Sequence, residues 1–149
     1  MALKAVGMLS ALALAAGLAP PALAEDAAAK PPEGSDVIAQ QLVVAAQSLG
    51  QMCPQKIDDT LTLANVTSQG LTLTYHYKFT DPAVKASDRV AELNKRNLAQ
   101  SCHHPGMRQM MSVFNVAFVY SYAPSTGEAP IDARIDEKAC RDYDQSRWK

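Results

Sequence analysis

Six side chains suited to soft-metal chemistry crowd into one short stretch, SCHHPGMRQMM, from Ser101 to Met111. Cys102 offers a thiolate, His103 and His104 offer imidazoles, and Met107, Met110 and Met111 offer thioethers. Such ligands suit Cu(I), and a thiolate beside two imidazoles also suits zinc. The spacing argues against one shared ligand shell. Consecutive helical residues project about 100° apart, so Cys102, His103 and His104 diverge wherever a helix reaches them. Met107, Met110 and Met111 stand at i, i+3 and i+4, the rhythm of a buried helical face, and methionine fills irregular cores well. The methionines therefore read as the inner face of a short helix. Cys102, His103 and His104 remain as the alternative, a copper or zinc carrier.

The thiols have a competing use. The chain holds three cysteines, Cys53, Cys102 and Cys140, so one is left over if two pair. No two are spaced as CxxC, which removes a thioredoxin-type redox motif. Cys102 ends a predicted helix and Cys140 follows the last predicted strand, so a bridge between them would pin helix to sheet. That pair is favoured over those involving Cys53. It closes a loop of about 40 residues, for which loop-closure entropy predicts about 4 kcal/mol. Cys53, in QMCPQKIDD, is left as a small buried apolar residue or as a free or intermolecular thiol. Nucleophilic work would require a base beside it and a lowered pKa.

The remaining polar residues form no constellation. His76 falls on the polar side of a strand and reads as solvated. Asp58 and Asp59, next to Lys56 and a strand start, read as surface and turn residues. Asn65-Val66-Thr67 is a formal glycosylation sequon. Arg108, beside a Pro-Gly turn, is the one cation singled out as a partner contact. GxSxG, HExxH, P-loop and GxGxxG patterns are all missing from the sequence. No catalytic residue and no cofactor is expected.

The elements that must position these residues begin after a removable segment. Lys4, the apolar run AVGMLSALALAAGLA and the small residues Ala22 and Ala24 form a secretory signal peptide over 1–24, with cleavage expected between Ala24 and Glu25. Pro20 and Pro21 cut the run short of the ~20 apolar residues a spanning helix needs. No cysteine lies near the cleavage point, so no lipid anchor is expected, and the address is periplasmic or secreted. That compartment makes a disulfide the default for the paired thiols. About 125 of the 149 residues remain, enough for one domain with its own core. The formal net charge is −1, one unit more negative without Lys4, so there is no broad basic surface of the kind nucleic acid requires.

Residues 25–35, EDAAAKPPEGS, read as a flexible leader. A single α+β domain is expected over 36–149. Ser35 or Asp36 can cap a helix from Val37 to Leu49, ended by Gly50. Leu71, Leu73, Tyr75, Tyr77 and Phe79 alternate with polar residues, which predicts a half-buried strand. Leu61 and Leu63 before it, and Ser68 to Gly70 between, make a β-hairpin. Asp81-Pro82 reads as the start of a helix running to Ser101, broken at His104 by Pro105 and resumed to about Met111. A second hairpin follows, with Phe114, Val116, Phe118, Tyr120 and Tyr122 on one face and Ile131, Ala133 and Ile135 across a turn at Ser125 to Gly127. The predicted order is α-ββ-α(α)-ββ. It implies a two-layer α+β sandwich, an antiparallel four-stranded sheet of two hairpins with helices on one face.

The segment CHHPGMRQMMSVFNVAFVYSYAPSTGEAPIDARIDEKAC carries a layout of its own. A cysteine ends a helix, then come a proline, an arginine, an apolar helix, a YSY strand, a TG hairpin and a closing cysteine. This resembles small exported disulfide-containing α/β proteins, of which the AspS-type pilotins of type II secretion are the named example. CPQKIDDTLTL and GLTLTYHY extend the likeness over roughly Leu49 to Cys140. The resemblance implies a Cys102–Cys140 disulfide and a sheet packed against helices. It also implies binding of a helix from the secretin C-terminus in an apolar groove. A pilotin guides that secretin with a lipid-bearing cysteine after its signal peptide, which this chain lacks, and no catalytic residue is carried over.

The expectation is an exported, non-enzymatic protein that binds a peptide or protein partner. It needs no cofactor, no nucleic acid and no stable membrane anchor. A metal carrier and an inhibitor of a secreted hydrolase are the two alternatives.

Overall fold

The computed structural model describes residues Gly34–Arg147. The expected signal peptide, its cleavage point and the leader up to position 33 lie outside the described residues. The elements run α1 (Ser35–Gly50), β1 (Gln55–Lys56), β2 (Leu61–Gln69), β3 (Thr72–Phe79), α2 (Ala86–His103), α3 (Pro105–Phe114), β4 (Ala117–Ala123), β5 (Ile131–Ile135) and α4 (Glu137–Ser146).

Local chemistry sets most of the boundaries. Gly34 precedes α1 with φ 88°, a left-handed turn that glycine adopts without steric cost, so α1 starts from it and not from a Ser35 or Asp36 cap. The expected helix start at Asp81 is instead a turn, in which the Asp81 carboxylate accepts from the Ala83 amide at 2.8 Å. The long helix α2 begins only at Ala86. Its last residue precedes His104, which is extended with ψ 115° because the ring of Pro105 excludes helical geometry there. Asn115 closes α3 in the left-handed region at φ 56°. Asparagine is among the few residues that tolerate it. Phe114, expected on a strand, is therefore the last residue of a helix.

The sheet departs from the expected antiparallel four strands. It has five strands in the order β1-β2-β3-β4-β5, and β3 and β4 run parallel, from Thr72 beside Ala117 to Lys78 beside Ala123. The reason is the α2–α3 crossover. Two helices carry the chain back across the sheet, so β4 starts beside the start of β3, whereas a tight turn would have reversed it. The pairings on either side of it, β2 with β3 and β4 with β5, are the expected antiparallel hairpins. The extra strand β1 is two residues paired with β2 at Thr62 and Leu63.

One face of the sheet carries Leu61, Leu63, Val66, Leu73, Phe79, Phe118, Tyr120, Tyr122 and Ile135. These residues form the core with Leu42 and Ala46 of α1, Val90 and Leu93 of α2, and Met111 of α3. A register shift between Leu63 and Asn65 keeps Val66 on this side, because the extra residue Ala64 restores the alternation. The architecture is α+β in two layers. The other face, with Thr62, Thr67, Thr74, His76, Asp132 and Arg134, carries no part of that core.

The last helix, α4, was not expected. Asp136 caps it, its carboxylate accepting from the Ala139 amide at 3.0 Å. Cys140 thus lies within a helix. The disulfide Cys102–Cys140, with Cα atoms 5.3 Å apart, ties the last turn of α2 to α4, so it pins helix to helix and not helix to sheet.

Candidate functional site

The residues first considered for metal chemistry are dispersed. The Cys102 sulfur is spent in the disulfide. His104 points its Nδ1 at the Met107 amide, 3.3 Å away, and caps α3. The Nε2 of His103 lies 2.7 Å from the Arg147 guanidinium, and its ring meets Tyr143 edge-on at 5.6 Å. Both imidazoles thus have structural duties that the sequence reading did not assign. Met111 is fully buried and touches Cys140 sulfur to sulfur at 4.0 Å, while Met107 and Met110 are half-buried against the core. Among the described residues, no three Cys, His, Asp or Glu side chains converge as a metal site.

Arg108, singled out as a partner contact, faces inward to its own chain. Its guanidinium reaches Glu137 at 3.4 Å and Asp144 at 3.1 Å, joining α3 to α4. Cys53 is free, half-buried, and directs its sulfur at the Leu49 carbonyl, 3.4 Å away. His76 lies on the sheet face opposite the core and meets the Thr67 hydroxyl at 2.8 Å.

What the fold does assemble is an aromatic seam. The parallel register sets Tyr75 beside Tyr120 and Tyr77 beside Tyr122. The rings stack with centroids 5.3 Å and 5.2 Å apart, and Tyr77 and Phe79 extend the stack to Tyr120 and Tyr122 at 6.4 Å and 6.3 Å. The seam runs along the β3–β4 junction, with α1 packed over β2 and β3 and α2 packed over β4 and β5. Tyr120 and Tyr122 are buried and anchored to α2, by Ser101 at 3.2 Å and Asn97 at 2.7 Å. Tyr75 and Tyr77 are only half-buried. Burial, followed by the nearby Tyr120 ring, pushes both Tyr75 and Tyr77 up to about 12. Tyr122 is raised further, again chiefly by burial. All four therefore stay neutral at any physiological pH and present apolar faces with polar tips.

The helix beside the seam is unusual in charge. From Val37 to Gln55 the chain contains no charged residue, and Val37, Val43, Val44 and Met52 stand exposed. Val37 and Val44 are two turns apart on the side of α1 away from the buried Leu42 and Ala46. From Val37 onward the outer side of α1 is therefore uncharged, with apolar side chains open to solvent. Sequence reasoning missed the seam, although the paired spacing Tyr75-x-Tyr77 and Tyr120-x-Tyr122 was visible. The parallel pairing that joins the two was not.

No protein-family model matches the chain, and no curated protein sequence matches it. Solved structures do. A Pseudomonas aeruginosa protein described as secreted superposes with a TM-score of 0.61 at 17% identity, covering 75% of this chain and 100% of that one. The type 2 secretion pilotin EpsS of Vibrio vulnificus gives 0.60 at 16% identity, covering 72% of this chain and 96% of its own. The type II secretion pilotin AspS of Vibrio cholerae gives 0.55 at 14%, over 72% and 96%. The fold is the one these pilotins share, and the likeness spans nearly the whole of each.

Proposed function

We propose that the protein is an exported, non-enzymatic binding domain that holds a peptide or protein partner on a pilotin-type scaffold. The observation that carries this reading is the partly exposed Tyr75–Tyr77 edge of the stacked seam, set in a fold shared with two pilotins. Stacked tyrosines give large, rigid contact area at little conformational cost, which suits an apolar helix face better than a small polar metabolite. The uncharged α1 surface adds apolar area without a charge that would have to be desolvated. Among the described residues, no helix is long and apolar enough to cross a membrane.

The resemblance to pilotins makes an amphipathic helix from a secretin C-terminus the first partner to try. Calorimetric titration of the mature domain with such synthetic helices should show saturable binding. Tyr77→Ala should weaken it about tenfold or more, as aromatic anchors do, while His76→Ala on the opposite sheet face should leave it unchanged. Binding that is absent for every helix tried, or insensitive to Tyr77→Ala, would remove the proposal.

A further inference from the structure

The sheet ends at β5, whose five residues read Ile131-Asp132-Ala133-Arg134-Ile135. The strand's pattern is symmetric about Ala133 in position but not in charge, with isoleucine at both ends and opposite charges at the two inner positions. The backbone directions follow from β4. The Ala117 amide donates at 2.9 Å to the carbonyl of Leu71, the residue leading into β3, and Ala117 pairs with Thr72, so the backbone groups of Ala117, Val119, Ser121 and Ala123 face β3. Those of Phe118, Tyr120 and Tyr122 therefore face β5, where their partners are Ile135, Ala133 and Ile131. The N–H and C=O groups of Asp132 and Arg134 are left pointing away from the sheet, and both residues are exposed.

We propose that β5 pairs antiparallel with β5 of a second copy of this chain, with the two-fold axis at Ala133. In that register Asp132 faces the second copy's Arg134 and Arg134 faces its Asp132. Both are hydrogen-bonded pairs, so all four outward backbone groups on each strand find partners. The same register sets unlike charges directly opposite each other on the helix-free face, twice over. On the helix-bearing face the axis brings alanine to alanine, a small side chain where the strands come closest. A shift by one residue in either direction would lose the backbone match, because the outward groups would meet inward ones. Charged side chains, lysine above all, and proline commonly blunt a sheet edge, but here Pro130 lies outside the strand and the two charges are opposite in sign. Among the described residues the Arg134 side chain engages only Asp136, at 3.2 Å and on the same exposed surface.

Analytical ultracentrifugation of the mature domain across micromolar to millimolar concentration tests the assignment. The parent chain should show a concentration-dependent dimer. Asp132→Arg and Arg134→Asp should each weaken it at least about tenfold by placing like charges opposite, and the double swap should restore it. Circular dichroism of each variant confirms that the fold is kept, and the swap controls for any effect of losing Asp136 as a neighbour. Amide exchange at Asp132 and Arg134 should slow as concentration rises, with no such change at Val119. A parent chain that stays monomeric throughout, or reversals that leave dimerisation unchanged, would overturn the proposal.

Discussion

The side-chain amide of Asn97 donates a 2.7 Å hydrogen bond to the hydroxyl of Tyr122, and this bond joins α2 to the interior strand β4. Tyr122 is almost fully buried, at 1% exposure, so its hydroxyl has no water to fall back on. Asn97→Ala should therefore cost about 1–3 kcal/mol, the penalty of an orphaned buried hydroxyl, whereas Tyr122→Phe should cost about 1 kcal/mol. The double variant should cost less than the sum. Urea midpoints for the four chains of this cycle measure the coupling.

The tyrosine stack sets an alkaline limit on stability. Tyr75 and Tyr77 titrate near about 12 in the fold, mainly because burial disfavours their anions, against about 10 in an unfolded chain. Their contribution is complete below about pH 10 and is lost as pH rises toward 12, since only the unfolded chain releases the protons readily. Tyrosinate absorbance should consequently lag behind that of free tyrosine and rise together with unfolding.

Asp136 sets the corresponding acid limit for α4. Burial raises its pKa, but the Ala139 amide and the Arg134 guanidinium outweigh burial and hold it below the ordinary carboxylate value. The stabilisation is present above about pH 4 and fades as the carboxyl protonates at lower pH. Asp136→Ala should cost about 1 kcal/mol at neutral pH. It should also speed amide exchange in α4 more than in α2.

His104 should behave as a helix cap rather than a ligand. His104→Ala is expected to lower stability by about 0.5–1 kcal/mol through the lost contact with the Met107 amide. The His103→Ala/His104→Ala chain should bind Cu(I) no more weakly than the parent in a competition titration. A clear loss of copper affinity would reinstate the imidazoles as ligands.

Removing the disulfide by Cys102→Ala/Cys140→Ala should cost about 4 kcal/mol, the loop-closure entropy for a separation of 38 residues. Thermal denaturation with and without reductant gives the same comparison on the parent chain.

The parts of this fold that were legible in the sequence are those decided within a few residues. Period-two alternation marks Leu71 to Phe79 as a strand, and Pro105 marks the break between α2 and α3. The direction of β4 against β3 was not legible. It depends on where two helices return the chain, a matter of packing across more than thirty positions. Two residues of β1 hold no periodicity at all. The helix α4 is so polar that its apolar side reduces to Ala139, Cys140 and Tyr143, yet Asp136 followed by Glu137 was a readable cap. The candidate site divides in the same way. Tyrosine spacing was visible strand by strand, whereas the stacking of Tyr75 on Tyr120 and the meeting of His103 with Arg147, 44 positions apart, are products of the folded chain.

The bridge between α2 and α4 also divides the chain mechanically. Residues from Cys102 to Cys140 form a closed ring holding α3, β4 and β5, while α1, β1, β2, β3 and most of α2 precede it. Pulled by its two ends, the oxidised protein can surrender only the length outside that ring. Roughly 130 Å of contour, 38 residues at the extended rise, stays locked until the sulfurs part. A machine that threads polypeptides in single file would meet a knot-sized obstacle at the α2–α4 junction in the oxidised form and none in the reduced one.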